Sequence, residues 1–181
     1  MHDASTPVTA FQGDRRLARG PLAEVARVVA ALAEPSRVLI FRDDDGRSLD
    51  LDLRGAPDDV VGRLAPPPQA APRGPGRPKL GVTAREVTLL PRHWDWLSRQ
   101  PGGASVALRK LVEAALRDPA EEGRAARDAA YRFLTTMAGD RPGYEEATRA
   151  LFAGDADAFK LRIGDLPADV RDHALALARM S

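Results

Sequence analysis

Between residues 65 and 78 the chain carries six of its fifteen prolines and no hydrophobic period. Proline fixes φ and has no backbone N–H, so neither a helix nor an internal strand runs through such a stretch. What folds before it and what folds after it are joined by extended chain. The spacing divides the sequence into a small α+β domain over 1–61, a Pro/Gly-rich basic linker over 62–81, a strand-helix-helix module over 82–118 and a helical region over 119–181. The predicted class is α+β.

Charge follows the same division. Residues 1–61 net −3, 62–118 net +6 and 119–181 net −2, giving +1 overall. A near-neutral whole with a basic middle is how a nucleic-acid contact region hides in an average composition. Arginine abundance alone is no evidence here. All but Lys79, Lys110 and Lys160 of the 27 basic residues are arginine, which fits a GC-rich genome. The uneven placement of the acids is the informative part.

In the first domain, Val38–Phe41, Asp43-Asp44-Asp45-Gly46 and the alternating Leu49, Leu51 and Leu53 predict a hairpin, with Asp-Gly supplying the positive φ of the turn. Thr9–Ala18, around Gly13-Asp14, predicts a second short hairpin. Pro21–Glu34 places Leu22, Val25, Val28, Val29 and Leu32 on one helical face, with Pro21 suited to the first helical position. Helices are predicted over 119–137, 144–152, 155–163 and 167–180. Ala126, Ala130, Phe133, Leu134 and Met137 form the stripe of the first, and Gly139, Pro142, Gly154 and Pro167 punctuate the series.

The middle is read as strand Val82–Leu90, a helix opened by Pro91, a Pro101-Gly102-Gly103 break and a second helix with Ser105 as N-cap. Leu108, Leu111, Val112, Ala115 and Leu116 give that helix a continuous apolar stripe. Trp94 is expected to be buried where helix meets strand. A strand and two short helices cannot bury these faces alone. The segment resembles ribbon-helix-helix repressors over about 35 residues, chiefly through Gly103–Val112 and more loosely through Val87–Leu90 with Pro91. That resemblance implies a dimer whose paired strands enter the major groove, with Arg85 and Thr88 reading bases and Ser105 and its neighbouring N–H groups holding phosphate. Arg109, on the outer face of that helix, is a further phosphate candidate by its charge. The alternative is an edge strand of the first sheet with both helices in a monomeric core. In the linker, Gly76-Arg77-Pro78-Lys79 is similar to the core of an AT-hook, although Pro75 stands where the first arginine of that core would be. The similarity implies a minor-groove arm using Arg73, Arg77 and Lys79.

The strings Gly76–Gly81, Ala84–Leu97 and Gly102–Ser105 are similar, as is more weakly the chain around Tyr144–Leu151 and Ile163–Ala174, to a bacterial conserved family of unknown function. That resemblance implies no activity. His2, His93 and His173 are too scattered for a triad or metal site, and no phosphate loop or nucleophile elbow is present. Asp43-Asp44-Asp45 beside Gly46 is turn chemistry. With no cysteine there is no thiol chemistry. No enzyme, no cofactor and no metal are therefore expected. Met1–Pro7 has neither the charged nor the apolar region of a signal peptide, and no apolar run reaches the roughly 20 residues that span a bilayer. The expectation is a cytoplasmic, homodimeric DNA-binding regulator, its C-terminal helices open to a protein partner. The competing expectation is an antitoxin-like or assembly-factor interaction module with no DNA contact.

Overall fold

The computed structural model describes residues 3–64 and 85–180. The chain is an α+β protein. Among the described residues, β1 (Pro7–Gln12), β2 (Arg15–Pro21), β3 (Val38–Arg42) and β4 (Ser48–Leu49) form one sheet in the order β2-β1-β3-β4. Every neighbouring pair in it is antiparallel. The helices are α1 (Leu22–Ala30), α2 (Pro57–Leu64), α3 (Pro91–Ser98), α4 (Gly103–Leu116), α5 (Pro119–Ala138), α6 (Tyr144–Ala153), α7 (Ala156–Arg162) and α8 (Ala168–Ala178). No helix among the described residues is long and apolar enough to cross a membrane. Two compact units result, 1–67 with 122–181 and 68–121.

In the first unit, β1 is the central strand and is buried on both faces, so its side chains divide by the period of two. Val8 and Ala10 join Leu22, Val25, Val29 and Ile40 in one cluster. Phe11 joins Phe41, Phe133, Leu134, Phe159, Val170 and Ala174 in another. Helix α1 therefore covers one face of the sheet while α5 to α8 cover the other. The sheet and the C-terminal helices share a core, which explains how so short a sheet is held.

Both predicted hairpins are present. Ile40 pairs with Leu49 and Phe41 with Ser48 across the Asp-Gly turn. The second strand of that hairpin ends at Leu49 rather than Leu53, because Leu51 and Leu53 pack against the α1 cluster without ladder bonds to β3. Helix α1 is also shorter than expected. Pro21 is its N-cap, it stops at Ala30, and a 3₁₀ turn follows at Pro35–Arg37. A helix has to end before Pro35, whose ring excludes the helical conformation of the residue ahead of it. Asp155 caps α7, accepting the Ala158 N–H at 2.9 Å, and Glu145 and Glu146 lie in the first turn of α6, the positions their charge favours.

The expected strand over 82–90 is not seen in the described part. Residues 85–90 form no strand, and no ladder bond reaches them. A strand is defined by the backbone partner beside it, and among the described residues none pairs with this segment.

Candidate nucleic-acid interface

Helices α3 and α4 form the described part of the basic segment. Leu90 is extended (φ −66°, ψ 151°) and Pro91 opens α3, as proline does at a first helical turn. The pair is joined through Gly102 and Gly103, whose φ values of 84° and 74° lie where glycine is at ease and other residues are not. Gly102, not Ser105, is the N-cap of α4. Ser105 lies inside the first turn because the two glycines make the reversal earlier than the serine signal suggested.

That first turn still brings two expected residues together. Arg109 Nε donates to the Ser105 carbonyl at 3.0 Å, which lays the guanidinium back along the N-terminal turn. The N–H of Gly103 is taken by Gln100 O at 2.9 Å. The next N–H groups have no acceptor four residues back, as at any helix start. A cation beside free N–H groups is suited to an anion. Arg85 and Thr88 are exposed, on chain that is not a strand. Arg73, Arg77 and Lys79 lie outside the described residues.

The packing of the pair is thin. Leu97 and Ala107 are buried. Beyond them the apolar stripe of α4 is open, with Leu111 52%, Val112 56% and Leu116 74% exposed. Val87, Leu90, Trp94 and Trp96 are also exposed, so Trp94 does not have the buried place expected of it. The reason is the missing strand, against which the outer face of α3 was to pack. These are large apolar side chains left open on one short segment. The flanking charge is modest. Residues 85–118 hold six basic and four acidic side chains, so most of the +6 of 62–118 belongs to the linker.

Elsewhere, the described residues contain no group of three or more His, Asp or Glu placed to hold a metal. The acidic turn is neutralised locally. Arg42 pairs with Asp44 and Asp45, and Arg19 Nε bonds Asp43 at 2.9 Å. Sequence reasoning missed what Asp43 does. Its other oxygen accepts from buried Thr9, and His173 lies close by. These residues are far apart in sequence, and only the alternation that puts Thr9 on the same strand face as Phe11 hints at the meeting.

A family model matches residues 7–178, nearly the whole chain and both units. The chain belongs to DUF2239. That family is described as an uncharacterized protein conserved in bacteria. No curated protein and no solved structure matches this DUF2239 chain. The match runs through α3 and α4, so the exposed pair belongs to the DUF2239 region and is not an appendage to it.

Proposed function

We propose that this chain is a DNA-binding protein, a transcriptional regulator of the cytoplasm that acts as a homodimer. The observation that carries the reading is the open apolar stripe of α4, in the segment that follows the basic linker in sequence. A copy-to-copy contact through Leu111, Val112 and Leu116 would cover the stripe and let two 85–90 segments pair as strands. It would also give the assembly two basic linkers, each with Arg73, Arg77 and Lys79. Arg85 and Thr88 then read bases, while Arg109 and the first turn of α4 at Ser105 hold phosphate. Neither an enzyme activity nor a cofactor enters this reading.

Leu111→Asp combined with Leu116→Asp tests it. Both positions are exposed in the single chain, so folding stability should change by no more than about 0.5 kcal/mol per site. Sedimentation should show the wild type as a dimer and the variant as a monomer, with duplex affinity falling in parallel. A wild type that sediments as a monomer at micromolar concentration, or a variant that binds duplex undiminished, rules the arrangement out. In the arm, Arg77→Ala with Lys79→Ala should weaken binding on all sequences and reduce the salt slope by about 2, since each cation removed leaves one phosphate with its counterion.

A second reading rests on α5 and α6. Tyr131 and Phe152 are both exposed and meet in a tilted pair with ring centroids 5.4 Å apart. Such an aromatic pair suits a protein partner on the C-terminal helices.

A further inference from the structure

Among the described residues, the buried side-chain nitrogens and oxygens without a hydrogen-bond partner are Nδ1 and Nε2 of His173. The imidazole, on α8, is 1% exposed and lies between Phe11 and Phe133, with ring centroids at 5.4 and 4.6 Å. Nε2 is 3.9 Å from Oδ1 of Asp43, beyond hydrogen-bond range. That carboxylate is occupied on both oxygens. Oδ1 accepts from Thr9 Oγ1 at 2.7 Å and Oδ2 from Arg19 Nε at 2.9 Å. Around the ring, β2 brings Arg16 and Arg19, the β3–β4 turn brings Asp43, and β1 and α5 bring Phe11 and Phe133. Helix α8 has one more tie to β2, the Arg16 N–H bonded to Asp169 at 2.9 Å.

We propose that His173, buried beside Asp43, is a proton-operated latch that keeps α8 on the sheet while the ring is neutral and releases α8 when it is protonated. A neutral ring is tolerated between two phenyl groups. A cation there has lost its hydration, and its one counter-charge, Asp43, is already held by Arg19. Burial, as the main cause, pushes the His173 imidazole down to about 4, with Asp43 opposing and Arg19 and Arg16 assisting. A depressed histidine contributes stability that is complete above its unfolded value near 6.5. The contribution is lost as pH falls from there to about 4, at about tenfold in the opening constant per pH unit. Rotation of α8 outward hydrates the ring while leaving the ladder of β1 to β3 intact, so release of the helix precedes loss of the sheet. The inference is independent of DNA binding.

Hydrogen exchange on the full-length protein at about pH 7 and about pH 5, corrected for intrinsic rates, tests the latch. Protection of α8 amides should fall about 30-fold, from one and a half units below 6.5 at tenfold each, and at both pH values α8 should be less protected than β1 and β3, because its opening leaves their ladder intact. In His173→Met the α8 loss should vanish. An unchanged α8 in the wild type, the same loss in the variant, or α8 amides as well protected as those of β1 and β3 would overturn the proposal. If the variant does not fold, NMR titration of His173 in the wild type decides. A ring still neutral at pH 5 supports the latch, and a midpoint near 6.5 removes it.

Discussion

Replacing Gly46 by alanine is expected to lower folding stability by about 3 to 5 kcal/mol, combining the left-handed backbone and the overlap with α5. Gly46 has φ 69° and ends the Asp43-Asp44-Asp45 turn, its N–H donating to Arg42 O at 3.0 Å. A Cβ there would overlap the carbonyl oxygen of Ala129 and lie 2.7 Å from its carbonyl carbon and 2.9 Å from its Cα. Those are helix backbone atoms, so the turn itself has to move. Arg132 Nη1 bonds the Asp45 carbonyl at 2.9 Å, and that bond would break with the shift. Gly13→Ala is the control, since Gly13 also has positive φ but nothing lies within 4 Å of its missing Cβ. Urea unfolding should show a far lower midpoint for the Gly46 variant at unchanged slope. Equal costs at the two glycines would mean that the turn does not dock on α5.

Phe133→Ala should cost about 3 to 5 kcal/mol, a large share of the total stability of a domain. Its ring is fully buried, 4.9 Å from Phe41 and 5.4 Å from Phe11 by centroid. The core positions one turn before it on α5 are Ala129 and Ala130, too small to close over the cavity. A second effect separates this site from an ordinary core deletion. Phe133 is one wall of the His173 site, so water entering the cavity should raise the histidine back toward its ordinary value. Denaturation for the first effect and an NMR titration of His173 for the second check both. A small loss of stability with an unmoved histidine would contradict the packing described.

Much of the first unit was legible in the sequence. Asp-Gly marked the β3–β4 turn, and every residue assigned to the α5 stripe is buried. The α1 stripe was legible at Leu22, Val25 and Val29, whereas Val28 is 47% exposed because α1 buries a face narrower than its apolar arc, and Leu32 lies beyond the end of the helix and is half-buried. Helix α2 went unread. It is eight residues long and buries Val60 alone, too little to leave a period, although Pro57-Asp58-Asp59 is an ordinary helix start. The Thr9–Asp43–His173 meeting was not legible, since three elements distant in sequence must first assemble. In the second unit the α4 helix was legible as an element, while whether its stripe packs within one chain or against a second copy was not. Strand 82–90 depended on a backbone partner, and local sequence does not say whether that partner is present.

The central claim is contact with DNA, and fluorescence anisotropy of a labelled random-sequence duplex titrated with the full-length protein tests it most directly. At about 50 mM salt the account predicts micromolar binding that falls steeply by about 200 mM, as counterions compete for the phosphates met by the arm and the α4 turn. Absence of binding at both salt concentrations would contradict it and leave the exposed stripe of α4 to a protein partner.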